Sequence, residues 1–308
     1  MSVHLEGMGW LGSMLARQLT MEGIDFTWHD TDRWACAWPA STGLVYPTFD
    51  PPTVVGYNGM RRWVDGNRHF ARGEVEQCTW WYTSNAAPGI NRAPKGTSAP
   101  KPLVDQGWVR AAVEPAWQVN VQQVVHESRR RFERHRVVEP PDADVYVVAH
   151  GFDPSRVAAF SWGWSCKARV TWPDEIAQNS VNGRPVLYAK TGRWIANYLY
   201  PVAGEPDTFW AGSIQIHQRD PQPLEVSKHW VKWNERVKLL TGGRVSVEQA
   251  EPFRQGWRPK PGLTGHDPVR AWHAPVGRQA IFAPSLAASG LRLAAPTIER
   301  MVDMIRRD

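Results

Sequence analysis

A chain of 308 residues can bury a large core in one or two domains, and no stretch of it is long and apolar enough to span a membrane. Its three cysteines, Cys36, Cys78 and Cys166, are scattered without a CxxC pair; this excludes a disulfide framework and a cysteine zinc site and fits a reducing, cytoplasmic setting. A formal charge of +6 and 18 tryptophans admit two readings: a nucleic acid held by phosphate contacts and base stacking, or a modestly basic protein with an aromatic core.

The first thirty residues carry the most information. Val3-His4-Leu5-Glu6 reads as a strand that runs into Gly7-Met8-Gly9-Trp10-Leu11-Gly12, with no basic head or apolar stretch of secretory type before it. A helix follows with Leu11, Leu15 and Leu19 on one face; Gly23 ends it, and Ile24 to Trp28 reads as a second strand closing on Asp30. Strand, glycine turn, helix, strand and acid in this order are the sequence form of a dinucleotide-binding βαβ unit. Gly7 permits the tight turn, Gly9 lets a pyrophosphate approach the backbone, and Gly12 lets the helix pack close to the strand. The helix N-terminus adds free N–H groups and partial positive charge. Asp30, with Thr31 beside it, stands where an acid accepts ribose hydroxyls. The motif alone does not separate NAD from FAD.

Further on, Ala40-Ser41-Thr42-Gly43-Leu44-Val45-Tyr46-Pro47 is a stretch whose small residues let backbone amides approach a cofactor, or else a connecting loop. From Gly56 to Trp108 the pattern loosens, with Arg61, Arg62, Arg68 and Arg72 among Trp63, His69 and Phe70. Trp80-Trp81-Tyr82 reads as a strand, and Asn85 to Pro102, carrying Arg92, Lys95 and Lys101, as a long polar loop, either a binding loop or disordered. Pro115 to Arg136 reads as one helix with Trp117, Val121, Val124, Val125 and Phe132 at helical spacing. Its basic end, Arg129-Arg130-Arg131 with Arg134 and Arg136, reads as a solvated face that suits the helix dipole.

Val137-Val138 reads as a short strand, and Asp144 to Gly151 as a parallel strand covered on both faces. Ala159 to Trp172 and Pro185 to Gln218 alternate as antiparallel strands do. Gln222 to Leu240 is a helix with Val226, Trp230, Trp233, Val237 and Leu240 on one face. Ala280 to Ala283 is a short strand. Ser289-Gly290-Leu291 leads to a terminal helix with Pro296 in its first turn and a buried stripe of Ile298, Met301, Val302 and Ile305.

Read together, these stretches resemble the superfamily of FAD-dependent D-amino-acid oxidase, glycine oxidase and sarcosine oxidase. They are most similar to the FAD domain of the bifunctional tRNA enzyme that makes 5-methylaminomethyl-2-thiouridine. The βαβ unit and the 40–47 stretch are similar to the family's two N-terminal flavin motifs. Val147-Val148-Ala149-His150-Gly151 resembles the second FAD strand, with His150 where a small residue is usual. Tyr198-Leu199-Tyr200-Pro201, Gly204 and Phe209-Trp210-Ala211-Gly212 resemble the substrate-sheet signature, and Gly256-Trp257-Arg258-Pro259 resembles the GxRP segment. Ser289 to Pro296 resembles the closing flavin loop and last helix.

The resemblance implies an α/β fold of two domains. A Rossmann-like FAD-binding domain comprises 1–52, 115–158 and 250–308, and an interleaved antiparallel-sheet substrate domain comprises 53–114 and 159–249. It implies non-covalent FAD, because no cysteine lies beyond Cys166 to tether a flavin. The cofactor residues it implies are Gly7, Met8, Gly9, Trp10, Leu11, Gly12, Asp30, Thr31, Ser41, Thr42, Gly43, Leu44, Val137, Ala149, Gly151, Ser289, Gly290, Leu291, Arg292 and Leu293.

The implied reaction oxidises a C–N bond by hydride transfer to the flavin; the imine hydrolyses and molecular oxygen is the acceptor. Arg258 would clamp a substrate carboxylate, with Tyr198 and Tyr200 offering hydroxyls from one strand face. Packing and a structural ion pair are the bland readings of these three residues, as is a structural role for His150 and His217. The substrate is a free amino acid or secondary amine. The alternative is a glycyl group on a modified pyrimidine of DNA or RNA, releasing glyoxylate and a free amine, with Arg61, Arg62, Arg68, Arg72, Arg92 and Lys95 on the phosphates. An NAD(P)-dependent dehydrogenase and a non-catalytic nucleic-acid binder are the competing classes.

Overall fold

The computed structural model describes residues 1–30, 38–45, 51–66, 68–83, 108–149, 159–190, 196–217, 225–260, 270–273, 279–282 and 290–307. The chain is of the α/β class, with helices around two sheets. The smaller sheet is built on β1 (Val3–Glu6), flanked by β2 (Phe26–His29) on one side and β6 (Val145–Val148) on the other, both parallel to it. Beyond β6 lies β14 (Gln279–Phe282), also parallel, and then β13 (Arg270–His273), antiparallel to β14.

Alternation decides what this sheet buries. Val3, Leu5, Phe26, Trp28, Val145, Val147 and Ile281 point into one core with α1 (Trp10–Met21), α3 (Val121–Arg131) and α6 (Gly290–Ile305). The four terminal-helix residues expected as a buried stripe are there, each at most 3% exposed. The opposite face is mixed: His4 is buried there, but Tyr146 and Val148 are only partly buried between the buried valines of β6, so the expectation that β6 is covered on both faces is not met. On that face the buried His4 bonds Thr27 Oγ1 at 2.8 Å through Nδ1 and His29 Nδ1 at 2.7 Å through Nε2.

The larger sheet has nine strands. Its path runs β11 (Ser246–Gln249), β7 (Ala159–Thr171), β10 (Glu205–His217), β9 (Ala196–Val202), β8 (Pro185–Lys190), β4 (Val75–Thr83), β5 (Trp108–Val119), β3 (Leu44–Val45), with β12 (Arg254–Lys260) beside β11 on the edge of β7. It is mixed rather than antiparallel throughout. β4 and β8 run parallel, which the long crossover between them through α3, β6 and β7 permits. One face is sealed by α5 (Val226–Leu240), whose Val226, Trp233 and Val237 meet Trp81, Trp164, Leu199 and Ala211. Trp164 packs edge-on against Trp230, Trp233 and Phe253. Eight tryptophans (Trp28, Trp63, Trp81, Trp117, Trp164, Trp172, Trp210 and Trp233) are core residues, which favours the aromatic-core reading of the composition.

Four sequence expectations need correcting. The segment 115–136 is not one helix: Trp117 lies on β5, and α3 starts only after Asn120, whose Oδ1 accepts the Gln123 amide at 3.2 Å as an N-cap. Residues 137–138 form no strand; the pairing there is a single bridge, Arg136 with Trp28, and Val138 is exposed. The terminal helix starts at Gly290, so Pro296 lies inside it rather than in its first turn. Finally, α2 (Pro51–Asp65) occupies a region read as irregular. Its Tyr57, Met60 and Trp63 join the core of the smaller sheet, and Gly59 brings it close to α6, where a Cβ would stand 3.1 Å from Ala295 and Pro296. The expected boundary at 52/53 therefore cuts through a helix that packs with the smaller sheet.

α1 is tied to the layers around it by a buried ion pair. Arg17 grips both Glu74 carboxylate oxygens at 2.6 and 2.7 Å and also donates to Ser128 Oγ and the His69 carbonyl. The short α4 (Asp174–Gln178) links β7 to β8.

Candidate cofactor and substrate site

The chain leaves β1 for β2 on one side and returns to β6 on the other. The crevice at the carboxyl ends of β1 and β6 is thus a switch point of the sheet, where open α/β sheets bind their ligands. The glycine turn sits there. Gly7 has φ 103°, a conformation glycine adopts readily, and its amide donates to the His29 carbonyl at 2.9 Å. A Cβ at Gly12 would stand 1.9 Å from the Gly7 carbonyl oxygen and 3.9 Å from the Ala149 Cβ, so only glycine brings α1 this close to β1 and β6. Gly9 is different. A Cβ there meets only the Trp38 Cδ1, at 3.3 Å, so the fold itself does not demand this glycine.

Asp30, at the end of β2, does not stand alone. The Arg129 guanidinium of α3 pairs with its Oδ2, while Arg129 Nε donates to the Met8 carbonyl inside the glycine turn at 3.1 Å. Arg129 also lies 5.2 Å over the Trp38 ring, which His126 meets edge-on. Burial and the neighbouring Arg129 and Arg254 lower the His126 pKa, keeping the imidazole neutral near neutral pH.

Segment 38–44 is held by its carbonyls. Gln122 Nε2 donates to the carbonyls of Trp38, Pro39 and Ser41, and Gln118 Nε2 donates to those of Thr42 and Val119. Gly43, at φ 75°, presses against the Val119 carbonyl with no room for a Cβ. Both glutamines are buried, and among the described residues each has an Oε1 with no hydrogen-bond partner.

The segment also touches the larger sheet. The turn 38–40 contacts β7 and β12, and Leu44 packs on the cluster of Tyr198, Tyr200, Val202 and Trp210. Tyr198 and Tyr200 share a face and stack at 4.6 Å, both buried. The Tyr198 hydroxyl donates to the Trp164 carbonyl at 3.3 Å. Trp210 carries two cations, Lys167 at 5.8 Å and Arg254 at 5.4 Å from its ring, both paired with Glu251.

No protein-family model and no curated protein sequence matches the chain. Solved structures do. The iminodiacetate oxidase of Chelativorans sp. BNC1 superimposes with a TM-score of 0.68 at 13% identity, over 99% of this chain and 95% of its own. The glycine oxidase of Geobacillus kaustophilus gives 0.68 at 12%, over 99% and 94%. The L-amino acid deaminase of Proteus myxofaciens gives 0.63 at 11%, over 99% and 89%. The chain has the glycine oxidase fold.

Within this fold, Gly7, Met8, Gly9, Trp10, Leu11, Gly12 and Asp30 form the first turn and its flanks, and Ser41, Thr42, Gly43 and Leu44 the second segment. Ala149 is buried behind Gly12, its amide bonded to the Glu6 carbonyl, and the Val137 amide bonds the Trp28 carbonyl. Gly290, Leu291, Arg292 and Leu293 form the first turn of α6, a helix that contacts β3. Arg258 lies on β12 paired with Ser161. Thr31, Arg92, Lys95, His150, Gly151 and Ser289 lie outside the described residues. Among the described residues no cluster could hold a metal, and no helix is long and apolar enough to cross a membrane.

Sequence reading missed Arg129, Gln118, Gln122 and Trp38. Arg129 was hidden in a basic run; Arg130 and Arg131 do behave as a solvated run, the first pairing Glu127 and the second lying over Phe132.

Proposed function

We propose that the protein is an FAD-dependent oxidoreductase that oxidises the C–N bond of a small amino acid or secondary amine. The observation that carries this reading is one shared wall. The segment that flanks the glycine turn rests through Leu44 on the cluster of Tyr198, Tyr200 and Trp210, while its 38–40 turn meets β7 and β12 of the same sheet. A cofactor along the turn would lie against that face.

The residues fit such a group. A side chain at Gly9 would press on the Trp38 ring alone and on no backbone, the N-terminus of α1 faces the switch-point crevice, and two buried glutamine oxygens lack donors among the described residues. Gly9 and the α1 N-terminus would take the pyrophosphate, Asp30 the ribose, and 41–44 with the first turn of α6 the flavin end. When bound, FAD supplies a hydride acceptor for the C–H bond beside the amine nitrogen. The chain's task is then to seat the substrate carboxylate. Arg258 is the proposed clamp, because its β-ladder partner Ser161 lies on β7 four residues from Ser165, which pairs with Gly212, itself opposite Tyr198. The buried faces of Tyr198, Tyr200 and Trp210 keep water from the substrate. Oxygen is the proposed acceptor.

The substrates for which these neighbours are named, iminodiacetate, glycine and L-amino acids, support a small amine substrate. A glycyl-modified base in a nucleic acid is less well supported: Arg61 pairs with Asp65 and Arg62 with Glu299 on the surface, Arg68 and Arg72 are exposed, and Arg92 and Lys95 lie outside the described residues. The test is to purify the protein, record its flavin spectrum, and measure peroxide and aldehyde or oxo-acid release across amino acids, secondary amines and nucleosides that carry an N-linked glycyl group on the base methyl. Flavin-dependent turnover of a small amine is expected. A colourless protein that accepts NAD(P) instead would contradict the reading.

A further inference from the structure

We propose that Arg129 is a positioning residue of the nucleotide site: it holds Asp30 and the glycine turn in the geometry that receives the adenosine diphosphate half of the cofactor. The inference rests on the FAD reading above and goes beyond it, because a residue 99 positions from Asp30 in a basic run carries the role.

Three observations converge. Arg129 reaches two parts of the site at once, the Asp30 carboxylate and the Met8 carbonyl. It engages Oδ2 of Asp30, which leaves Oδ1 for a ribose hydroxyl. It is only 24% exposed and lies against Trp38, whose indole stands over Gly9. A guanidinium fixed in this way offsets the Asp30 charge beside the expected diphosphate, where an unpaired carboxylate would repel it. The neutral His126 adds no competing charge next to Arg129. The neighbouring Arg130 pairs with Glu127 on the surface and, among the described residues, has no such contact.

The test is FAD binding to the apoprotein, followed by flavin fluorescence quenching, for the wild type, Arg129→Met, Arg129→Lys, Asp30→Asn and the double variant. Arg129→Met is expected to weaken FAD binding about 10- to 100-fold, the scale of a lost charge-assisted contact. Arg129→Lys should recover only part of this, since it lacks the fork. The double variant should lose clearly less than the sum of the two single losses, because part of the Arg129 effect runs through Asp30 and part through the Met8 carbonyl. Arg130→Met serves as the surface control and should bind as the wild type does. Thermal melting of each apoprotein separates a folding defect from a binding defect; if Arg129→Met melts early, Arg129→Lys carries the comparison. An Arg129→Met variant that binds FAD within twofold of wild type, or more tightly, would overturn the proposal, as would additive losses in the double variant. A wild type that binds no FAD would instead sink the functional reading on which it stands.

Discussion

The ring of Tyr198 lies across Gly212. A Cβ at residue 212 would stand 2.7 Å from both Cε2 and the hydroxyl of Tyr198 and 2.5 Å from the Trp164 carbonyl oxygen. The larger sheet can stack Tyr198 on Tyr200 only because β10 carries no side chain at that point. Gly212→Ala should therefore displace Tyr198 and destabilise the protein by about 1–3 kcal/mol, the usual cost of overpacking, read from urea unfolding. An unchanged midpoint would show that the tyrosine moves aside freely.

The two glycines of the turn should separate in experiment. Gly12→Val drives a side chain into the Gly7 carbonyl and should unfold or strongly destabilise the protein. Gly9→Val meets only one edge of Trp38 and should leave the melting temperature close to wild type while abolishing FAD uptake. Circular dichroism melting and FAD titration on the two variants check both halves.

Arg258→Ala should raise KM for a carboxylate substrate about 10- to 1000-fold, the cost of losing a bidentate charge pair. A substrate amine without a carboxylate should lose little. A near-normal KM for the carboxylate substrate would remove Arg258 from the site.

His4 sets a pH dependence of stability. Burial and the neighbouring His29 lower its pKa from 6.5 to about 4 in the fold. Above pH 6.5 the residue is neutral folded and unfolded, so it adds no slope. Between pH 6.5 and 4 the unfolded chain takes up a proton that the native state refuses, and stability should fall by about 1.4 kcal/mol per pH unit from this residue. His69, likewise lowered to about 4 by burial and nearby Arg17 and Arg68, adds in the same direction. Urea midpoints from pH 7 to pH 4 measure the slope, and His4→Gln should reduce it and leave the His69 part.

Arg17→Met leaves Glu74 fully buried without its partner and should cost about 3–5 kcal/mol. Thermal or urea unfolding reads the loss.

The βαβ unit was legible in the sequence because its signals are local: a turn, a helix face and an acid at fixed spacing. The tyrosine pair was legible because alternation on a strand decides a face. The helix Pro51–Asp65 was not, since Pro51, Pro52, Gly56 and Gly59 all lower helix propensity; Gly59 is there for close packing on α6. The strand ending at Val119 was read as helix because Trp117, Val121 and Val124 also fit a 3.6 period; the Asn120 cap, with Gln123 three residues on, was the boundary signal. Arg129 could not be told from Arg130 and Arg131 by sequence. Which guanidinium turns inward depends on where Asp30 and Met8 arrive, and that is set by packing between elements far apart in the chain.

FAD along the N-terminal glycine turn is tested most directly by the flavin content of the purified protein beside that of Gly9→Val. A yellow wild type that releases FAD on denaturation, one per chain, and a folded but colourless variant are expected. Equal flavin content in the two proteins, or a folded wild type that takes up no FAD at any concentration, would contradict that placement.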